Sequence, residues 1–148
     1  MKRNIFSTLK FLLGLKSVSH RSISESEARV VDILRNRLNT YMLQQKPFLK
    51  EHYTLKDLSD EMGIPLHQLS AFLNKQVGMN FNDYLNQFRI RYCEALIKNE
   101  LPGKVNLKEL IYRSGFHNRN TFSAAFKKFT GKTPSDYVRD FDIDDKQH

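Results

Sequence analysis

The chain has 148 residues, 40% of them apolar and 27% charged, which bounds it to one ordinary globular domain or two very small ones sharing a connecting element. A disordered chain and a large enzyme cleft are both excluded. Its 24 basic and 16 acidic residues leave a formal net charge of +8, which points to an anionic partner, either nucleic acid or an acidic surface.

Residues 1–23 are expected to form a basic, flexible arm, with Lys2, Arg3, Lys10, Lys16 and Arg21 and no acid. Lys10 and Lys16 bracket its apolar cluster, Phe11, Leu12, Leu13 and Leu15, which is too short to span a bilayer. No small-residue cleavage pattern of a secretory leader comes after it. A basic amphipathic helix lying on a membrane surface or a partner is the other reading of this arm. Next, Val30, Ile33, Leu34, Leu38, Tyr41 and Met42 recur at helical spacing, predicting a helix over residues 24–45 that stops before Pro47 and covers the first of two similar units.

Those units show in the chain from residue 50 onward, which repeats itself at an offset of 52 that grows to 53. Thr54-Leu55-Lys56-Asp57-Leu58 is echoed by Asn106-Leu107-Lys108-Glu109-Leu110, Gly63-Ile64 by Gly115-Phe116, and Gly78 by Gly131. Phe81-Asn82-Asp83-Tyr84 is matched by Pro134-Ser135-Asp136-Tyr137, so one extra residue falls between Phe116 and Gly131. Thr54 and Asn106 are good N-caps, each followed three residues later by an acid, Asp57 or Glu109. Leu55, Leu58 and Met62, and Leu107, Leu110 and Ile111, give each copy a first helix that ends at Gly63 or Gly115. The apolar residue after each glycine, Ile64 or Phe116, is expected to plug the turn into the core.

Each copy then has a second helix. The first runs over about residues 66–76 behind Pro65, buried through Leu69, Phe72 and Leu73. Its counterpart runs over about residues 118–129, buried through Phe122, Ala125, Phe126 and Phe129. Between the copies a helix over residues 81–98 is capped by Asn80 and buried along Phe81, Tyr84, Leu85, Phe88, Tyr92, Ala95 and Leu96. At about 1.5 Å per residue it is a strut of roughly 27 Å, comparable to the roughly 34 Å between successive major-groove faces. The expected fold is all-α: two helix-turn-helix subdomains joined by a long central linker helix, about seven helices over residues 24–141, then an acidic flexible tail at 142–148.

Charge separates the halves. Residues 89–132 hold ten basic side chains against three acidic ones, whereas residues 50–88 hold three against five. The single cysteine, Cys93, cannot form an intramolecular disulfide, reads as a small core residue and fits a reducing, cytoplasmic setting. Five scattered histidines (His20, His52, His67, His117, His148), with no paired ligand spacing and no phosphate-cradling glycine loop, give no reason to expect an enzyme, a metal or a cofactor.

Residues 55–84 with Asn86-Gln87-Phe88-Arg89-Ile90, and above all Ile111-Tyr112-Arg113-Ser114-Gly115-Phe116, Thr121-Phe122-Ser123-Ala124-Ala125-Phe126-Lys127-Lys128-Phe129 and Gly131-Lys132-Thr133-Pro134-Ser135-Asp136-Tyr137, resemble the DNA-binding domain of the AraC/XylS family of bacterial transcription regulators. The resemblance covers roughly residues 24–141. It implies a sequence-specific regulator that inserts the second helix of each unit into successive major-groove segments of a double-stranded operator, with RNA polymerase or another regulator as protein partner. Base contacts then fall to His67, Gln68, Ser70, Ala71 and Asn74 in the first unit and to Asn118, Arg119, Asn120, Thr121, Ser123 and Ala124 in the second. Arg119 suits guanine; Gln68, Asn74, Asn118 and Asn120 suit adenine. Ala71 and Ala124 stand where family members often place a long base-reading side chain, so they offer only an apolar touch to a thymine methyl. Thr54, Lys75, Asn106, His117, Lys127, Lys128 and Lys132 are expected on phosphates.

Plainer readings stand beside these. His67, His117 and the Lys127-Lys128 pair also read as solvated surface, and Phe72, Phe88, Phe116, Phe122, Phe126 and Phe129 as core rather than stacking platforms. A helical protein-interaction module derived from a DNA-binding domain is the rival function. Family members usually carry a sensing or dimerisation domain on the N-terminal side. With only the basic arm ahead of the first helix, the chain reads either as a stand-alone regulator or as the DNA-binding portion of a longer sensor.

Overall fold

The computed structural model describes residues 23–101 and 103–145. Among them are seven α-helices and no strand, as the helical periodicity predicts: α1 (Ile23–Gln45), α2 (Leu55–Met62), α3 (Leu66–Phe72), α4 (Phe81–Asn99), α5 (Leu107–Arg113), α6 (Arg119–Thr130) and α7 (Pro134–Asp145). None of these helices is long and apolar enough to cross a membrane. The expected arm lies outside the described residues apart from Ile23, which already belongs to α1.

The helices divide between two compact units. The first combines α1 with Thr54–Phe81 and so contains the first helix pair. Val30, Leu34, Leu38 and Met42 recur every fourth residue on α1 and are all buried, whereas Ile33 and Tyr41, expected beside them, are exposed and half-buried. Facing positions in the unit are filled by Leu58, Met62, Ile64, Leu69, Phe72 and Leu73. Polar bonds pin α1 in place: Arg37 donates to the Met62 carbonyl at 3.0 Å and Arg35 to the Gln76 carbonyl at 2.7 Å. Both acceptors lie at segment ends, where carbonyls lack an intrahelical partner. After Phe72 the backbone widens into a π turn, Leu73–Val77, which closes at Gly78.

The second unit combines Lys46–Tyr53 with everything from Asn82 onward. Its core joins Ile90, Cys93 and Ile97 of α4 to Leu110 and Ile111 of α5, Phe116 of the turn, and Phe122, Ala125 and Phe126 of α6. Phe116 and Phe122 are each 1% exposed, and full burial of such a side chain stabilises by about 3 kcal/mol. Helix α4 is buried more widely than a single stripe. Tyr84, Leu85 and Phe88 are buried on one side, where Phe48 of the short 3-10 turn Pro47–Leu49 stacks on Phe88 at 5.9 Å. Ile90, Cys93 and Ile97 are buried on another. Of the residues expected in the stripe, Ala95 is exposed and Phe81, Tyr92 and Leu96 are only partly covered, because packing on two sides turns that edge toward solvent.

Helix α7 begins at a threonine N-cap that sequence reading passed over. Thr133 Oγ1 donates to Asp136 and accepts from the Asp136 amide, with Pro134 at the first helical position. This hydrogen bond holds the Asp136 carboxyl below its usual range. The helix runs through Asp145, past the point where a flexible acidic tail was expected at 142–148, and Asp142 accepts a hydrogen bond from the Gly103 amide at 2.9 Å. Residues 146–148 of that tail lie outside the described residues.

Both helix-turn-helix turns close the same way. The Ile64 amide bonds the Ser59 carbonyl and the Phe116 amide the Ile111 carbonyl, each at 3.0 Å, while Gly63 and Gly115 adopt left-handed φ of 65° and 83°. The surroundings of the two glycines differ. A Cβ on Gly63 would meet nothing within 4 Å, but one on Gly115 would lie 2.6 Å from the Phe48 carbonyl oxygen and 3.1 Å from Leu49 Cα. Gly63→Ala should therefore cost about 1 kcal/mol of left-handed strain, and Gly115→Ala at least about twice that, read as denaturant midpoints by circular dichroism. Equal losses would contradict the close approach at Gly115. Burial also pushes the Cys93 thiol up to about 12. Its modification by iodoacetamide at pH 8 should be at least about 100-fold slower in the native protein than in urea, where the thiol titrates near 8.5.

Candidate nucleic-acid interface

Helix α6 owes its sharp start to Asn118, whose Oδ1 accepts the Asn120 amide at 2.8 Å and the Thr121 amide at 3.1 Å. That carbonyl is spent on capping, so Asn118 cannot offer adenine the bidentate pairing expected of it. Beyond the cap, Arg119, Asn120, Thr121 and Ala124 are exposed and Ser123 is half-exposed, while Phe122, Ala125 and Phe126 point into the core. The outward side of α6 therefore carries the expected second-unit side chains, with Asn118 reassigned to the cap.

On α3, His67 is exposed and Ser70 and Ala71 are partly so, while Asn74, expected on the same helix, is exposed on the π turn that follows it. Gln68 departs from expectation: it is 7% exposed, and its Oε1 is buried without a hydrogen-bond partner. Its place on the helix turns it inward beside Leu69, so it is removed from the base-contact set. The matching burial of Leu69, Phe72 and Leu73 with Phe122, Ala125 and Phe126 sets the helices at an offset of 53, whereas the glycines are 52 apart. The extra residue therefore lies in the second turn, between Phe116 and Arg119. It lengthens that turn enough to seat an asparagine cap, where α3 has Pro65 and no side-chain cap. Under this alignment Leu66, 47% exposed, stands where α6 carries Arg119. Leu66 was expected only as the start of this helix and not among its base-contact residues, because an apolar side chain offers a base edge no hydrogen bond.

The candidate phosphate contacts sort by their present partners. Thr54 Oγ1 donates to Asp57 and accepts its amide, and Asn106 Oδ1 accepts the Lys108 and Glu109 amides, so both are helix caps rather than open donors. Lys128 pairs with Asp83 at 2.8 Å and Lys132 with Asp140 at 2.9 Å. Lys75 and Lys127 are exposed, and neither makes an ion pair among the described residues. His117 is exposed and stacks on His52 at 6.4 Å. No cluster of three or more His, Cys, Asp or Glu among the described residues is placed to hold a metal ion.

Beside α6 runs a groove of about 760 Å³, bounded by α5, α6 and the start of α7. Leu107, Ile111 and Phe122 floor it, and Lys108, Arg119 and Lys127 rim it. Tyr112, 60% exposed, and Ser135 stand at its edges. Sequence reading did not single out Tyr112 or Ser135, because nothing in the residue pattern brings α5 and α7 alongside α6.

The helix-turn-helix domain family matches residues 58–140, more than half of the chain. An uncharacterised HTH-type transcriptional regulator of Escherichia coli, YijO, is 27% identical over 120 residues, covering 74% of this chain and 41% of that protein. The HTH-type transcriptional activator RhaR of Yersinia pseudotuberculosis is 26% identical over 105 residues, covering 71% of this chain and 35% of the activator. The chain thus spans about two fifths or less of the length of these curated relatives. Among solved structures, a Listeria innocua protein of unknown function is similar with a TM-score of 0.57 at 31% identity, over 72% of this chain and 95% of that one. The C-terminal domain of AraT, a response regulator from Geobacillus stearothermophilus, is similar with a TM-score of 0.57 at 27% identity, over 70% of this chain and 82% of that one. With a glycine-turned helix pair in each unit and a matched family, the chain belongs to the AraC-type helix-turn-helix family of transcriptional regulators.

Proposed function

We propose that the chain binds double-stranded DNA in a sequence-dependent way and regulates transcription in the cytoplasm, each unit placing its second helix in the major groove. The observation that carries this reading is the outward face of α6, where Arg119, Asn120, Thr121 and Ser123 project from a capped, well-packed helix. Arg119 makes no ion pair among the described residues, which leaves its guanidinium available for the O6 and N7 edge of a guanine. In the first unit Leu66, His67, Ser70, Ala71 and Asn74 form the corresponding surface, which suits thymine methyl contact and one adenine pairing at Asn74. Asn74 Nδ2 already donates to the Ser70 carbonyl at 2.9 Å, so that pairing requires a local exchange of partners. Lys75 and Lys127 anchor phosphates, with the paired Lys128 and Lys132 contributing less. RNA polymerase or another regulator is the protein partner in this reading. A docking module without DNA contact is the second reading, supported by the absence of a long side chain at Ala71 and Ala124.

Duplex titrations at several salt concentrations separate the two, because each phosphate-contacting cation adds about 0.9 to the slope of log affinity against log salt. A slope near zero favours the docking module. Arg119→Ala should lower affinity for the preferred duplex by about 1–3 kcal/mol and relax one base step, leaving random DNA nearly unaffected. Lys127→Ala should weaken all sequences alike and reduce the salt slope by about 1. Lys128→Ala should do less than Lys127→Ala, because its ammonium is already held by Asp83. A larger effect at Lys128 would show that the Asp83 pair opens on DNA.

A further inference from the structure

The groove beside α6 has features that a nucleic-acid edge does not use. Its floor is apolar and well covered, with Ile111 and Phe122 belonging to the core of the unit. A sugar-phosphate strand laid across the rim would leave that floor unfilled. The groove's volume of about 760 Å³ falls within the range of small-molecule sites, roughly 300–1,000 Å³. Ala124 contributes only a methyl group to the wall, which leaves the space between Arg119 and Lys127 on α6 open.

The polar groups have one sign. Lys108, Arg119 and Lys127 converge on the rim, and among the described residues lining it there is no Asp or Glu. The nearest acids in sequence are engaged elsewhere: Glu109 with Arg113 at 3.3 Å, and Asp136 with Thr133 at 2.6 Å and Arg139 at 2.9 Å. Ser123 of α6 and Ser135 of α7 add hydroxyls to the lining. An apolar trough under a cationic rim matches a ligand with a flat apolar body and a single anionic head.

We infer that this groove binds a small amphipathic organic acid, an aromatic or branched apolar body carrying one carboxylate, and that its occupation excludes DNA from α6. The first half stands on the groove alone; the second rests on the DNA-binding reading above. Arg119, Ser123 and Lys127 belong to both surfaces, so ligand and duplex compete for the same side chains. The carboxylate takes its charge-assisted bonds from Lys108 and Arg119, and the body lies on Leu107 and the open edge of Ile111, beside Tyr112.

The test uses the full chain and 2-naphthoate, with 2-naphthamide as its uncharged counterpart and sodium acetate holding ionic strength constant. Without DNA, amide resonances of α5, α6 and the start of α7 should shift saturably with naphthoate, at a dissociation constant on the order of 1 mM or tighter. Naphthamide should bind at least about 5-fold more weakly, and Lys108→Gln, at an exposed position, should weaken naphthoate by a similar factor. Absence of saturable shifts up to about ten times that concentration, or equal binding of acid and amide, overturns the site whatever the protein does to DNA. In the second arm, saturating naphthoate should lower apparent duplex affinity about 10-fold at constant salt. Saturable naphthoate binding with unchanged duplex affinity overturns the competition while leaving the DNA-binding reading intact. If the protein binds no duplex at any salt, that reading fails and the competition with it, and the first arm still decides the site.

Discussion

The orientation of α6 depends on one crowded turn. Gly115 lies so near the Phe48 carbonyl that no side chain fits there, and its left-handed backbone directs Phe116 into the core. Arg89 holds the same spot from α4: its Nε donates to the Phe48 carbonyl at 2.8 Å, and its guanidinium lies 5.5 Å from the Phe116 ring centroid. Burial lowers the Arg89 pKa from its ordinary value, yet a guanidinium starts so high that it stays charged. The carbonyl and the aromatic face offset its partial loss of water. A tight turn, a ring plug and a cation thus fix the angle at which the second helix leaves the first, and with it where Arg119 and Ser123 point.

Seven of the ten cations in residues 89–132 fall into two kinds. Arg113, Lys128 and Lys132 pair with Glu100 and Glu109, Asp83, and Asp140, while Arg89 is half-buried. These cations hold helices together or decorate them, and exposed pairs of this kind are worth little to stability. Lys108, Arg119 and Lys127 surround the groove beside α6 instead, where their fields add. Net charge alone therefore overstates the polyanion-binding surface. What matters is the set of cations whose acids have been placed elsewhere.

Much of this architecture is legible in the residues. Glycines 52 apart, each followed by a large apolar residue and preceded by a capped helix, specify two equivalent turns, and both form with matching hydrogen bonds. Helical periodicity places α1 and most of the core. Finer features escape because they depend on tertiary partners. Gln68 lies at the border of the α3 stripe, and only the packing turns it inward. Asn118 looks like a base reader or a cap with equal ease until the extra turn residue is placed. The partnership of Lys128 with Asp83 joins residues 45 positions apart, which no local pattern reveals. The groove itself needs α7 beside α6, where Phe126 meets the Tyr137 ring at 5.3 Å.

The proposed function rests on base reading by the outward faces of α3 and α6. Selection of bound duplexes from a random pool tests it most directly, repeated with a chain in which Asn120 and Ser123 are replaced together. Base reading by both helices should enrich a motif with two parts, one of which changes in the variant while the other persists. Enrichment of a motif that the double replacement leaves untouched, or no enrichment at all, would contradict it.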